Sequence, residues 1–373
     1  MFLPFSILIF INFCYAGPIV ETNYGRIEGF ESDGAEVFLA IPYAKPPTGD
    51  LRFERPEAPE PFEDVYQATQ YRNDCSPHYR LVSQFSVYSG EDCLTLNVIK
   101  PKTVTEKLPV LLWIHGGAPV KPTLLGLGDK EGAYFTVANQ GRVLSDFGLT
   151  AHDIKNFKEQ FVIDTIKNKF LYNNRFGKYE KYVLDTLIEY YLHRDRPEHP
   201  EASFFLDRYT EIISDVTFNV PEIREIQKRA ENNDQVYAYL FNHCNDVLWK
   251  DHIPKETRGS LHVNEYHYLF NMPILGQIDF SKDPEKKIRN DFIDLVINFA
   301  KTGKAEVNGV QWNPVTAHES ISYLNIGTEG NTIKSGLFEE ATYLWNDLAH
   351  QTEFDAIDPT LSKSSQHQPR NEL

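Results

Sequence analysis

A serine nucleophile placed on a tight strand-to-helix turn needs the pattern G-x-S-x-G, since the turn leaves little room beside it for anything but glycine. Two glycine pairs in this chain of 373 residues have that spacing, Gly25–Gly29 and Gly128–Gly132, and neither holds a serine at its centre. Metal chemistry is equally poorly provided for. There is no C-x-x-C or H-E-x-x-H, and the nearest approach, His262-Val-Asn-Glu-Tyr-His267, lacks ligand spacing. No cofactor or metal is therefore expected. The cysteines are Cys14, Cys75, Cys93 and Cys244. Cys75 and Cys93 are close in sequence and are expected to be bridged, with Cys244 left as a free thiol.

The ends of the chain read as addresses. Met1 to Ala16 is apolar, carries no charged side chain and ends on a small residue, the pattern of a secretory signal peptide. It is too short for a membrane span, which takes about 20 apolar residues. No other stretch is long enough, so no membrane span is expected. Residues 353–373 read as a polar, disordered tail ending in Arg370-Asn371-Glu372-Leu373, which is similar to a K-D-E-L-type retention signal. The expected location is the lumen of the endoplasmic reticulum, with secretion as the alternative, and a retention receptor is the expected partner of the tail. The net charge of −16 argues against nucleic acid as a partner, because phosphate binding needs a basic face.

Between these ends, apolar runs alternate with helical patterns, which argues for an α/β fold. Strands are expected over Ile19–Ile27, Val37–Ile41, Leu94–Ile99, Pro109–Ile114, Thr123–Leu127 and Val236–Asn242. The continuous apolar runs, Pro109–Ile114 above all, fit strands buried on both faces of a parallel sheet. Helical periodicity covers about Asp153 to Arg194, then Glu285–Thr302 behind Pro284, then Ala341–His350.

Several segments together resemble one family, the type B carboxylesterases and cholinesterases. They are Phe38–Phe53, Glu91–Asn97, Leu108–Gly117, Gly128–Phe135, Tyr239–His243, Leu261–Phe270, Phe299–Gly303 and Gln311–Pro314, in family order from Tyr24 to about Leu348. The resemblance implies an α/β-hydrolase fold and carboxylic ester hydrolysis by a Ser-His-Glu triad. It makes Glu131 the triad acid and His262 the general base. It gives Gly116 and Gly117 the backbone N–H groups of an oxyanion hole, and it pairs Cys75 with Cys93. The plain alternatives are a surface acid at Glu131 and a satisfied polar side chain at His262. The chain departs from the pattern at Ala118 and Pro119, where a further glycine is expected, and at Val263, where glycine usually follows the histidine.

The larger departure is the missing elbow. In the family it lies between the oxyanion loop and the acid, yet only ten residues separate Gly117 from Gly128. A central block is expected to be missing near residues 117–122 of the esterase-like domain, 17–352, which leaves the parallel sheet incomplete and its strand edges open. The expected function is that of a serine esterase without its nucleophile, a pseudoenzyme or a truncated form. One alternative is a non-catalytic binding or adhesion module. The other is a hydrolase acting on small-molecule esters whose full-length form carries the block.

Overall fold

The computed structural model describes residues 17–75, 89–104, 106–113, 124–128, 149–271 and 276–358. The chain divides into two compact units, residues 1–108 and 109–373.

The first unit is built from short strands. Ile19–Ile27 does not form one strand. The backbone turns at Asn23 and Tyr24 and returns as a hairpin of β1 (Ile19–Thr22) and β2 (Gly25–Glu28), where Gly25 takes a φ of 117° that suits glycine. β3 (Phe30–Ser32), β4 (Ala35–Pro42) and β8 (Thr95–Pro101) form a second antiparallel sheet. Three very short strands lie between them in sequence: β5 (Tyr66–Gln67), β6 (Asp74–Cys75) and β7 (Ser89–Gly90). The register of β4 against β8 slips between Phe38 and Ile41, where Ala40 adopts a φ of 52°. This bulge is held from both sides: Asn97 Oδ1 accepts from the Ala40 N–H at 2.9 Å, and the Ala40 carbonyl accepts from Tyr66 OH at 2.6 Å. Cys75 and Cys93 are joined by a disulfide across 18 residues, and Cys244 is a free thiol.

The second unit carries a four-stranded sheet in the order β14-β13-β10-β9, formed by β9 (Leu124–Gly128), β10 (Tyr237–Phe241), β13 (Ser322–Gly327) and β14 (Gly330–Ser335). β10 lies parallel to both β9 and β13, and β14 closes one edge as the antiparallel arm of a hairpin. A two-stranded ribbon, β11 (Glu306–Val307) and β12 (Val310–Gln311), precedes the hairpin. Every residue of β10 is buried, because successive side chains enter cores on opposite faces. Tyr237, Tyr239 and Phe241 enter one cluster with Leu324 and Ile326; Ala238 and Leu240 enter the other with Ile321 and Tyr323. The apolar run Val236–Asn242 therefore reads without polar alternation.

Helices cover both faces. The periodic stretch from Asp153 to Arg194 breaks into α1 (Ala151–Lys155), α2 (Glu159–Thr165) and α3 (Glu180–Ile188), with π turns over Ile166–Phe170 and Glu189–His193. α4 (Ala202–Ser214) runs through a third π turn, Asp215–Asn219, into α5 (Val220–Glu231), whose Ile223 and Ile226 pack on the second cluster. α6 (Asn264–Phe270) is short. α7 (Glu285–Thr302) has the expected bounds and lays Ile288, Phe292 and Leu295 on the first cluster. α8 (Glu339–Thr352) is the last helix among the described residues. Packing continues past Thr352, where the tail is expected to start. Asp355 pairs with Arg224 at 2.8 Å, and Phe354 meets Phe176 edge to face.

One strand expectation is overturned. Residues 109–113 of Pro109–Ile114 belong to no strand, and Val110 and Leu112 are 88% and 73% exposed. Their sequence suits a strand with partners on both sides, and no strand among the described residues pairs with them, so Val110 and Leu112 are left exposed. Trp113 packs edge-on against Tyr266 and Phe270 of α6. No helix among the described residues is long and apolar enough to cross a membrane.

Candidate functional site

Because β9, β10 and β13 run parallel, their C-terminal ends leave the same edge of the sheet. Open α/β sheets carry their sites at that edge. His243 lies just beyond β10 and is 2% exposed. A buried imidazole needs a partner on each nitrogen. Nδ1 lies 2.7 Å from Thr328 Oγ1, at the end of β13, and Nε2 lies 2.9 Å from Glu285 Oε1, at the start of α7. Tyr268 OH donates to the other oxygen, Glu285 Oε2, at 2.5 Å. Burial works to raise the Glu285 carboxyl, but the hydrogen bonds from His243 and Tyr268 outweigh it and hold the group below the usual carboxylate range. Burial, reinforced by the same carboxylate, pushes the Tyr268 phenol far up.

This network anchors the turn that carries His262. Asn264, the first residue of α6, donates from Nδ2 to the His243 carbonyl and to Ser260 Oγ, both at 3.0 Å. Those two bonds tie the turn to the end of β10. The half-buried His262 ring lies against Phe218, with centroids 4.5 Å apart and planes tilted by 32°. Val263, the next residue, has φ 62° and ψ 17°. This left-handed conformation is strained for a β-branched side chain and easy for glycine, which explains why glycine is expected after such a histidine.

Of the sequence-predicted site residues, His262 thus lies against Phe218, two positions before the Asn264 that is tied to the end of β10, and Cys75 and Cys93 are bridged. Glu131, Gly116 and Gly117 lie outside the described residues. β9 ends at Gly128, at the same sheet edge as the ends of β10 and β13. His243, Thr328, Tyr268 and Glu285 were not singled out from the sequence. The signal available was a histidine directly after a continuous apolar strand, where a polar side chain must be buried with its partners. Among the described residues, no three His, Cys, Asp or Glu side chains group so as to hold a metal ion. Chemically, an imidazole on an anchored turn can take up and return a proton.

The sequence as a whole matches the model of the carboxylesterase family over residues 16–121 and 118–345. The chain belongs to the carboxylesterase family. The match comes as two stretches that meet at residues 118–121. The chain is 36% identical to Gut esterase 1 of Caenorhabditis briggsae over 557 aligned positions, spanning 99% of this chain and 99% of that protein. It is likewise 36% identical to Gut esterase 1 of Caenorhabditis elegans, over 95% of this chain and 97% of that protein. The first alignment is 557 columns long on a chain of 373 residues, so at least 184 columns (557 less 373) face no residue of this carboxylesterase-family chain. A thermophilic PNB esterase structure superposes with a TM-score of 0.59 at 16% identity, covering 87% of this chain and 99% of that one. The carboxylesterase-family chain shares that fold.

Proposed function

We propose that this chain is a carboxylesterase-family protein that does not hydrolyse esters, because the block bearing the nucleophile is absent between Gly117 and Pro122. The observation that carries the reading is the lack of any G-x-S-x-G in the sequence. The two-part family match meeting at 118–121 and the unmatched columns of the gut esterase alignment support it. So do the apolar residues 109–113, which no strand among the described residues pairs with, and the position of β9 at the end of the sheet order of the described strands.

Under this reading, Glu131 and His262 descend from a triad, and Gly116 and Gly117 from an oxyanion hole. Without the serine, the base has no hydroxyl to deprotonate and no acyl-enzyme forms. Loss of a catalytic serine costs about 10⁶ in rate in the best-studied case, and what survives there depends on an intact oxyanion hole. Here the backbone N–H that follows the serine is lost with it.

A second reading keeps hydrolysis at the locus but not in this chain: a full-length form supplies the block and is an esterase. The 36% identity over nearly the whole length of two gut esterases favours it over an adhesion module. Sequencing the transcript across Gly117, together with ester hydrolysis assays on both forms, tests the pair. A single transcript without the block, giving inactive protein, leaves the first reading alone. A longer transcript giving active enzyme establishes the second.

The proposed location is the endoplasmic reticulum lumen, from Met1–Ala16 at one end and Arg370–Leu373 at the other. Two residues appended after Leu373 are expected to move the protein into the medium. Unmodified protein found wholly in the medium would make it simply secreted.

A further inference from the structure

The second unit holds a cavity of about 580 Å³ between the end of α4, the Asp215–Asn219 π turn and the start of α8. Its size falls in the range of small-molecule pockets. Carboxylates dominate the lining: Asp207, Glu211 and Asp215 from one side, Glu339 and Glu340 from the other. The cationic groups beside them are Arg208, bound to Glu211 at 2.6 Å, and Arg194, which pairs with Glu211 and lies 3.7 Å from Glu340. Five carboxyl groups thus face two guanidiniums.

Two buried polar atoms at this cavity lack hydrogen-bond partners. Asn219 is 2% exposed and lines it; its Nδ2 donates to Asp215 Oδ1 at 2.8 Å, and its Oδ1 accepts from nothing. Arg208 also lines it, and its Nε donates to nothing. A buried acceptor or donor left unmade costs about 1–3 kcal/mol, so such atoms mark a place where a partner belongs. Asp215, between them, is fully buried; desolvation, then the charge of Glu211, raises its carboxyl to about 7. An added cation there favours the ionised form that burial disfavours.

We propose that this cavity is a binding site for a small protonated primary amine that also carries an acceptor oxygen. Its ammonium hydrogens satisfy Asn219 Oδ1 and the surplus of carboxylates, and its oxygen takes the Arg208 Nε–H. A quaternary ammonium has the charge without the N–H groups and leaves Asn219 Oδ1 unmet. The site is separate from the His262 turn, although Phe218 of the same π turn packs on His262. It does not depend on whether the chain hydrolyses esters.

The test is isothermal titration calorimetry of the full chain with 2-hydroxyethylammonium chloride, and with tetramethylammonium chloride at matched ionic strength. Saturable one-to-one binding of the first is expected, with the second weaker by at least about tenfold, the worth of one hydrogen bond to a charged group. Asn219→Ala is expected to bring the two salts together. Since Asn219 is buried and its variant could fail to fold, Glu340→Gln on the exposed rim serves as the second probe. It is expected to weaken 2-hydroxyethylammonium binding several-fold while the protein stays folded. No saturable binding, equal binding of the two salts, or full-strength binding in Glu340→Gln would each overturn the proposal.

Discussion

Phe218 and His262 lie ring against ring, 4.5 Å between centroids, although 44 positions separate them in the chain. Phe218 occupies the π turn between α4 and α5, and His262 the turn before α6. A π turn puts an extra residue into the helical ladder and so redirects the side chains that follow it. Here it sets an aromatic face where the imidazole needs packing. Phe218→Ala is expected to lower stability by about 2 kcal/mol, since the ring is half-buried, and Phe218→Leu by about half as much. Urea denaturation of the two variants measures both; equal and negligible losses would show that the contact carries no weight.

Val263 gives a reversed substitution order. At ordinary positions glycine is less stable than alanine by about 0.5–1 kcal/mol. At φ 62° both replacements lose the valine packing, but only glycine relieves the left-handed strain. Val263→Gly is therefore expected to be more stable than Val263→Ala by about 1 kcal/mol. Denaturation midpoints at equal m-values decide it, and the usual order would remove strain from the account of this turn.

The buried network around His243 predicts a loss when its carboxylate is neutralised. Glu285→Gln keeps the shape but removes the charge that meets His243 and Tyr268, at an expected cost of about 2–4 kcal/mol. The sign with pH follows from the lowered Glu285 group. Its stabilisation is present above the ordinary carboxylate value and is lost as pH falls toward the depressed folded value. Stability of the parent should thus fall on acidification below about pH 4.5 more steeply than that of Glu285→Gln. Parallel slopes for the two proteins would contradict the assignment.

The architecture of the second unit was legible where one kind of signal acted alone. β10 shows as an unbroken apolar run because both its faces are covered, and α7 shows because Pro284 and its helical period mark its limits. Pro109–Ile114 carries the same signal as β10 and forms no strand over its described residues. An apolar run states what a segment could pair with, and only the rest of the sheet supplies the partner. The hairpin within Ile19–Ile27 was hidden because its turn, Asn23-Tyr24-Gly25, sits inside a pattern that alternates as one strand does. His262 was legible through the family pattern around it. The His243–Glu285–Tyr268 network was not, since its members are 42 and 17 positions apart and only the fold brings them together.

Asp215 gives an effect of opposite sign to Glu285. Its group is raised to about 7 by burial and then by Glu211, against the hydrogen bonds from Asn219 and Tyr191. Between about pH 4 and pH 7 the folded protein keeps a proton there that the unfolded chain has released. Stability is full below that window, falls as pH rises through it and levels off above it. Asp215→Asn, which cannot ionise, is expected to lose this decline and to be the more stable protein relative to the parent at pH 8 than at pH 5. A stability difference independent of pH between the two proteins would show that Asp215 stays ionised when buried.

The central claim is that no serine in this chain acts as a nucleophile. Incubating the purified, folded chain with a fluorophosphonate that traps activated serines, then measuring its intact mass, tests that directly. The expected result is the unmodified mass, under conditions in which an active carboxylesterase takes up one adduct per chain. One stoichiometric adduct on a serine of this chain would contradict the account.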